Sequence, residues 1–198
     1  MSVLQMALTL FLVANPIGNT PAFVALVKDF SFERQKKILF REALFSFFIA
    51  LFFLFLGEQF LKIIQVKQYA VSISGGTLLF LVALNMIFPQ KEIAGNERKP
   101  QEPFIVPIAT PLISGGGVLS TIMIFSAKEP NILLLLLACV IAWVGVVGIV
   151  VSAAYLNRLL GSRGLLALEQ LMGMILTMIS IEIIVKGVLL FMKTYYAS

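Results

Sequence analysis

The chain has 198 residues, 60% of them hydrophobic and 13% charged, with a mean hydropathy of +1.00. A soluble domain of this size cannot hide so much apolar surface from water, so the expected solvent is the lipid bilayer. The net charge of +5 is spread over short loops, with no basic face carrying stacking aromatics, so no nucleic-acid partner is expected.

Histidine is absent and the one cysteine, Cys139, lies in an apolar run. This excludes an intrachain disulfide and argues against metal, redox and most general-base chemistry. An intramembrane protease would need a nucleophile with its base or paired aspartates, yet the single aspartate, Asp29, falls in a loop. The expectation is no catalytic residue, no bound metal and no cofactor.

Six apolar stretches of membrane-spanning length fill nearly the whole chain, which predicts an all-α integral membrane fold in a single membrane domain, residues 1–198. The first span, about residues 3–27, is interrupted by Asn15-Pro16-Ile17-Gly18-Asn19-Thr20-Pro21. Proline removes a backbone donor and clashes with the preceding turn, so the helix is expected to end near Ala14 and restart between Asn19 and Ala22. The opening stretch lacks a basic n-region and a small-residue cleavage site, and reads as half of this span, not as a removable signal peptide. The second span, about residues 38–61, carries Arg41 and Glu42 near one end. They read as a solvated or interhelical structural pair, with a direct transport role as the alternative. The third span, about 69–88, leads into a polar connector at 89–103.

The fourth span begins near Phe104 and meets Thr110-Pro111-Leu112-Ile113-Ser114-Gly115-Gly116-Gly117, a second interruption. No Lys and Ser or Thr follow these glycines as a phosphate loop would need. The fifth span covers about 132–156 and the sixth about 165–191, with Glu182 inside it. Ser74, Thr77, Leu81 and Asn85 share one face of the third span, and Gln170, Gly173, Thr177 and Ser180 one face of the sixth. Such stripes mean helix contact or, alternatively, cavity lining. Basic residues concentrate after spans 1, 3 and 5, which by the positive-inside rule puts both termini outside.

An offset of roughly 95 to 97 positions sets Pro16 against Pro111, Asn19 against Ser114, Gly76 against Gly173 and Asn85 against Glu182. Three spans per half make the expected repeats, 1–95 and 103–198, inverted, with helices 1 and 4 discontinuous near the midplane. Breaks in hydrocarbon are tolerable where they face each other around a polar cavity. There the restarting helices offer N–H groups to a carboxylate and freed carbonyls receive an ammonium or cation, as a zwitterionic amino acid requires. The candidate substrate contacts are Asn15, Pro16, Gly18, Asn19 and Thr20, opposite Pro111, Ser114, Gly115, Gly116 and Gly117. The blander alternatives are a packing kink at the first break and small-residue helix contact at the second. Glu182 is either the acid of a proton-coupled step or an i,i+4 partner of Lys186. Asn85 is a possible cavity residue. The coupling ion is open between H+ and Na+.

The segment Asn15 to Phe23 resembles the signature of the MarC family. Val71-Ser72-Ile73-Ser74-Gly75-Gly76, Glu102-Pro103-Phe104-Ile105-Val106-Pro107 and the stretch from Pro111-Leu112 to Ser120-Thr121 are similar to its YhgN-like branch, so the likeness covers nearly the whole chain. The resemblance implies a six-span bacterial inner-membrane protein moving small neutral amino acids such as glycine or alanine, with proton or cation coupling and the motif positions as substrate contacts. The chain departs from the family's second signature at Gly116, where proline is usual. The function expected is secondary transport by alternating access. The alternatives are export of another small solute or drug, and a non-transporting membrane scaffold or assembly protein. The expected partners are a small-molecule substrate and the bilayer, with oligomerisation possible through the small-residue faces.

Overall fold

The computed structural model describes residues 2–88, 103–105 and 108–196. The expected connector at 89–103 lies outside the described residues, except for Pro103. Helices α1 (Val3–Ala14), α2 (Thr20–Val27), α3 (Phe32–Ile63), α4 (Gln68–Ile87), α5 (Gly116–Lys128) and α6 (Ile132–Tyr196) follow in chain order. A wide, π-type turn at Ile108–Ile113 precedes α5.

Among the described residues, four stretches are long and apolar enough to cross a bilayer: Phe32–Gly57, Gln68–Ile87, Ile132–Ala153 and Arg163–Tyr196. The stretches expected as the broken first and fourth spans are divided, α1 from α2 and the Ile108–Ile113 turn from α5. The 12 residues of α1 rise about 18 Å, against a hydrocarbon core about 30 Å thick. Ser2 and Gln5 close a reciprocal capping box at its start.

Two boundaries differ from expectation. Helix α3 begins at Phe32, so Arg34, Lys36 and Lys37 ride on its first two turns, where Lys36 pairs with Glu33 at 2.7 Å. Between the fifth and sixth spans the helical segments run almost directly into each other. The helix is broken by a kink at Gly161, whose φ of 62° and ψ of 179° suit a residue without a Cβ.

Helix α4 packs against the second arm of α6 and against α5 through glycines. A Cβ on Gly76 would stand 3.0 Å from the Ser180 carbonyl oxygen, and one on Gly173 3.0 Å from the Ala83 carbonyl oxygen. A Cβ on Gly75 would fall 1.8 Å from Ser120 Oγ, on α5. The buried face of α4 is therefore Ser72, Gly75, Gly76, Leu79, Ala83 and Met86. The polar stripe read as helix contact or cavity lining makes no such helix contact at Ser74 and Thr77, which are exposed and donate to Val71 and Ile73 of their own helix, while its Leu81 and Asn85 line a cavity. On α6 the expected stripe does make contact, with Gly173 against α4 and Gln170 donating to the Ile87 carbonyl at 3.4 Å. Lipid tails give helices no hydrophobic drive to associate, so such close small-residue approach is a main source of their attraction.

The overlap makes Gly75 and Gly148 a matched pair for mutation, since a Cβ on Gly148 meets nothing within 4 Å. Gly75→Val is expected to lose about 1–3 kcal/mol or more of stability through overpacking, and Gly148→Ala to lose none. Thermal unfolding in detergent checks both. An unchanged Gly75→Val protein would refute the packing of α4 on α5.

Candidate functional site: a cavity between two breaks

The first break has a local cause at each residue. Asn15 ends α1 in the left-handed conformation (φ 50°, ψ 47°), which asparagine tolerates better than most residues. Pro16 follows without an N–H, and Pro21 occupies the opening turn of α2, where a missing donor is harmless. Asn15 Oδ1 accepts from the Gly18 N–H at 3.3 Å, and its Nδ2 donates to the Met86 sulfur at 3.2 Å. A Cβ at Gly18 would stand 2.4 Å from Met86 Cε and 2.6 Å from the Asn15 amide, so a larger residue there would have to displace those side-chain ends. Thr20 Oγ1 donates back to the Pro16 carbonyl at 3.1 Å.

At the second break Thr110 is extended (φ −137°, ψ 129°), as the residue before a proline prefers. The Thr110 and Ser114 N–H groups each reach back five residues, to the carbonyls of Ile105 and Ala109, both at 2.9 Å. Ser114 Oγ donates to the Ser46 carbonyl at 2.8 Å, and Trp143 Nε1 donates to Ser46 Oγ at 3.0 Å. This buried chain ties the second break to α3 and α6.

One side chain joins the two breaks. Asn19 Nδ2 donates to the Leu112 carbonyl at 2.9 Å and to the Ala14 carbonyl at 3.3 Å, so one amide satisfies a backbone acceptor in each broken segment. Beside it lies a cavity of about 280 Å³ whose polar wall is Asn15, Asn19, Asn85 and Gly115 to Gly117. Its apolar wall includes Leu79, Ile113 and Leu176, with Leu78, Leu81 and Val82 at its exposed margin. Helical bonding in α5 starts with the Leu119 N–H to the Gly115 carbonyl, so the N–H groups of Gly116, Gly117 and Val118 precede it, and those residues line the cavity.

Of the expected contacts, the structure brings Asn15, Asn19, Gly115, Gly116, Gly117 and Asn85 into this wall. It places Pro16, Gly18, Thr20 and Ser114 behind the wall, in the bonds that shape the breaks. Pro111 contributes backbone to the Ile108–Ile113 turn. Glu182 stands apart, 62% exposed and paired with Lys186 at 2.9 Å, beside a separate groove of about 370 Å³ between α1, α5 and α6. Sequence reasoning missed Met86, Ser46 and Trp143, which belong to apolar helix faces and acquire partners only in the fold. It also allowed a solvated Glu42, which is fully buried. Among the described residues no group of three or more His, Cys, Asp or Glu could hold a metal ion.

Comparison with known proteins identifies relatives of the chain among membrane proteins. Residues 1–192 match the family described as MarC family integral membrane protein. A UPF0056 membrane protein of Buchnera aphidicola subsp. Baizongia pistaciae is 41% identical over 190 residues, covering 94% of this chain and 96% of that protein. The UPF0056 inner membrane protein YhgN of Escherichia coli K12 is 39% identical over 195 residues, covering 96% and 98%. A UPF0056 membrane protein of Chlamydia pneumoniae is 33% identical over 190 residues, covering 94% and 93%. No solved structure matches the chain. With a match spanning nearly its full length and several apolar helices able to cross a bilayer, the chain belongs to the MarC family of integral membrane proteins.

Proposed function

We propose that this protein is a secondary transporter of small neutral amino acids of the glycine or alanine kind, working by alternating access. The observation that carries the reading is the meeting of both breaks at one small cavity, joined by the Asn19 amide. Its volume falls just below the range of pockets for drug-sized ligands, which suits a small solute. The opening N–H groups of α5 suit a substrate carboxylate. The carbonyl end of α1 and the side-chain oxygens of Asn15 and Asn19 suit its ammonium. The apolar wall suits a short aliphatic side chain and offers a larger or charged one no partner.

In this reading the two halves are inverted repeats with both termini outside. Reciprocal contacts support the repeat: Gly76 meets Ser180 and Ile184, Gly173 meets Ala83 and Ile87, and an offset of 97 residues carries one set onto the other. Ser46 and Trp143, bonded to each other, are separated by that same 97. The proposal includes no catalytic residue and no cofactor. A proton or sodium gradient drives transport, and the partners are the solute and the bilayer.

Uptake of labelled glycine and alanine into proteoliposomes, with and without imposed proton or sodium gradients, tests the reading. Saturable, gradient-dependent uptake is expected. Asn19→Ala should abolish it, because the Leu112 and Ala14 carbonyls lose a buried donor worth about 1–3 kcal/mol. Absence of uptake from folded protein would sink the amino-acid assignment.

Thiol labelling separates a transporter from a scaffold. In a Cys139→Ala background, Asn19→Cys and Asn85→Cys should react with a membrane-impermeant reagent, and Asn85→Cys should be protected by substrate. Ser114→Cys, behind the wall, should not react. A scaffold leaves all three unlabelled.

A further inference from the structure

Glu42 is the one acid whose side chain is completely buried among the described residues. Its Oε1 accepts two bonds from Arg41, at 3.0 Å from Nε and 2.8 Å from Nη2. Its Oε2 is buried and has no hydrogen-bond partner among the described residues; the only other such side-chain atom is Thr110 Oγ1, in the second break. Neighbours i and i+1 on a helix do not face each other, so the pair forms only because Arg41 is folded round. What holds it is the far side: Arg41 Nη2 also donates to the Pro103 carbonyl, and the guanidinium lies 5.2 Å over the Phe104 ring, itself edge-on to Phe45.

The position matters because of what α3 holds one turn further on. Ser46, four residues from Glu42, accepts the Ser114 hydroxyl and the Trp143 indole. Within six residues α3 thus grips both ends of the second broken segment, Pro103 and Phe104 before the Ile108–Ile113 turn and Ser114 after it. A buried, half-satisfied carboxylate at that grip is costly, and intramembrane acids that persist are functional by default.

We propose that Glu42 is the proton-binding group that couples the gradient to movement of the second broken segment, with Arg41 as its latch; the inference rests on the transport reading above. A proton from water adds to Oε2, converting the carboxylate to a neutral carboxyl. The charge-assisted fork on Oε1 weakens, and Arg41 keeps its charge against the Pro103 carbonyl and Phe104 ring, freeing that end of the segment to shift. Deprotonation restores the latch. Of the elements packed against α3, α5 carries one charged residue, Lys128, at its last position. The Ile108–Ile113 turn, α2 and the span Ile132–Ala153 contain no Asp, Glu, Lys or Arg, and the only thiol on that span is Cys139. Glu182, exposed and held by Lys186, lies outside this grip.

Two transport modes separate coupling from structure. Glu42→Gln should still exchange labelled for unlabelled alanine across proteoliposomes. Its accumulation driven by a proton gradient should fall to the level of protein-free liposomes, whereas Glu182→Gln keeps both activities. Accumulation by Glu42→Gln at the wild-type level overturns the proposal, as does loss of exchange by folded Glu42→Gln and Glu42→Asp alike, which marks a structural role. If the wild type moves neither glycine nor alanine, the substrate reading fails and an infrared pH titration of the reconstituted protein decides Glu42 by itself. A titrating carboxyl band present in wild type and Glu182→Gln but missing from Glu42→Gln supports it, and an unchanged band in Glu42→Gln overturns it.

Discussion

The bond from the Asn19 amide to the Leu112 carbonyl answers the constraint on which the rest of the molecule depends: a helix interrupted in an apolar environment must find new partners for its backbone. Both interruptions are driven by proline, and both are resolved within the protein. Thr20 closes on Pro16, Asn15 on Gly18, and Ser114 on Ser46. These bonds use exactly the polar residues that a continuous span would have no reason to carry. Asn19 acts on both segments at once, so the two breaks form one polar centre.

Glycine packing keeps that centre small. Adjacent glycines on α4 serve different neighbours, Gly75 facing α5 and Gly76 facing α6, and each contact is closer than a side chain would allow. The result sets α4 between the two, and its next turns then place Leu78, Leu81 and Asn85 in the cavity wall and Met86 against Asn15. Packing and site are thus one device: the spacing that buries the glycines also delivers the wall.

The broken segments were legible because they depend on local chemistry. Pro16, Pro21 and Pro111 fix their own φ and restrain their predecessors whatever surrounds them, so α1 ending at Ala14 and α2 starting at Thr20 follow from the chain itself. Wall membership was less legible. Thr20 and Ser114 look like substrate ligands in sequence because hydroxyls beside a break suit that role. Only the fold reveals that their donors are committed to Pro16 and Ser46. The same holds for the stripe on α4, where Ser74 and Thr77 bond within their own helix and turn outward. The choice between a solvated and an interhelical Glu42 stayed open for a different reason. Position along a span suggests depth, but burial depends on which neighbours cover the side chain, and the segment beginning at Pro103 lies far away in sequence.

Alternating access requires some contacts between the halves to be exchanged while others persist, and the two kinds are distributed unevenly here. The glycine faces joining α4 to α6 are apolar and weakly directional, so a small rotation changes them little. Directional bonds between the halves are found at the breaks, Asn19 to Leu112, Ser114 and Trp143 to Ser46, and Arg41 to Pro103, and also along α4, where Ser120 donates to Val71 and Gln170 to Ile87. Each neutral bond contributes only about 0.5–1.5 kcal/mol net, so a bound solute that replaces one or two of them is enough to alter which arrangement is preferred. The charged Arg41–Glu42 pair is the exception, a charge-assisted contact stronger than its neutral neighbours. The proposed cycle would thus have weak contacts where the halves slide and its charge-assisted contact at the end of the second broken segment.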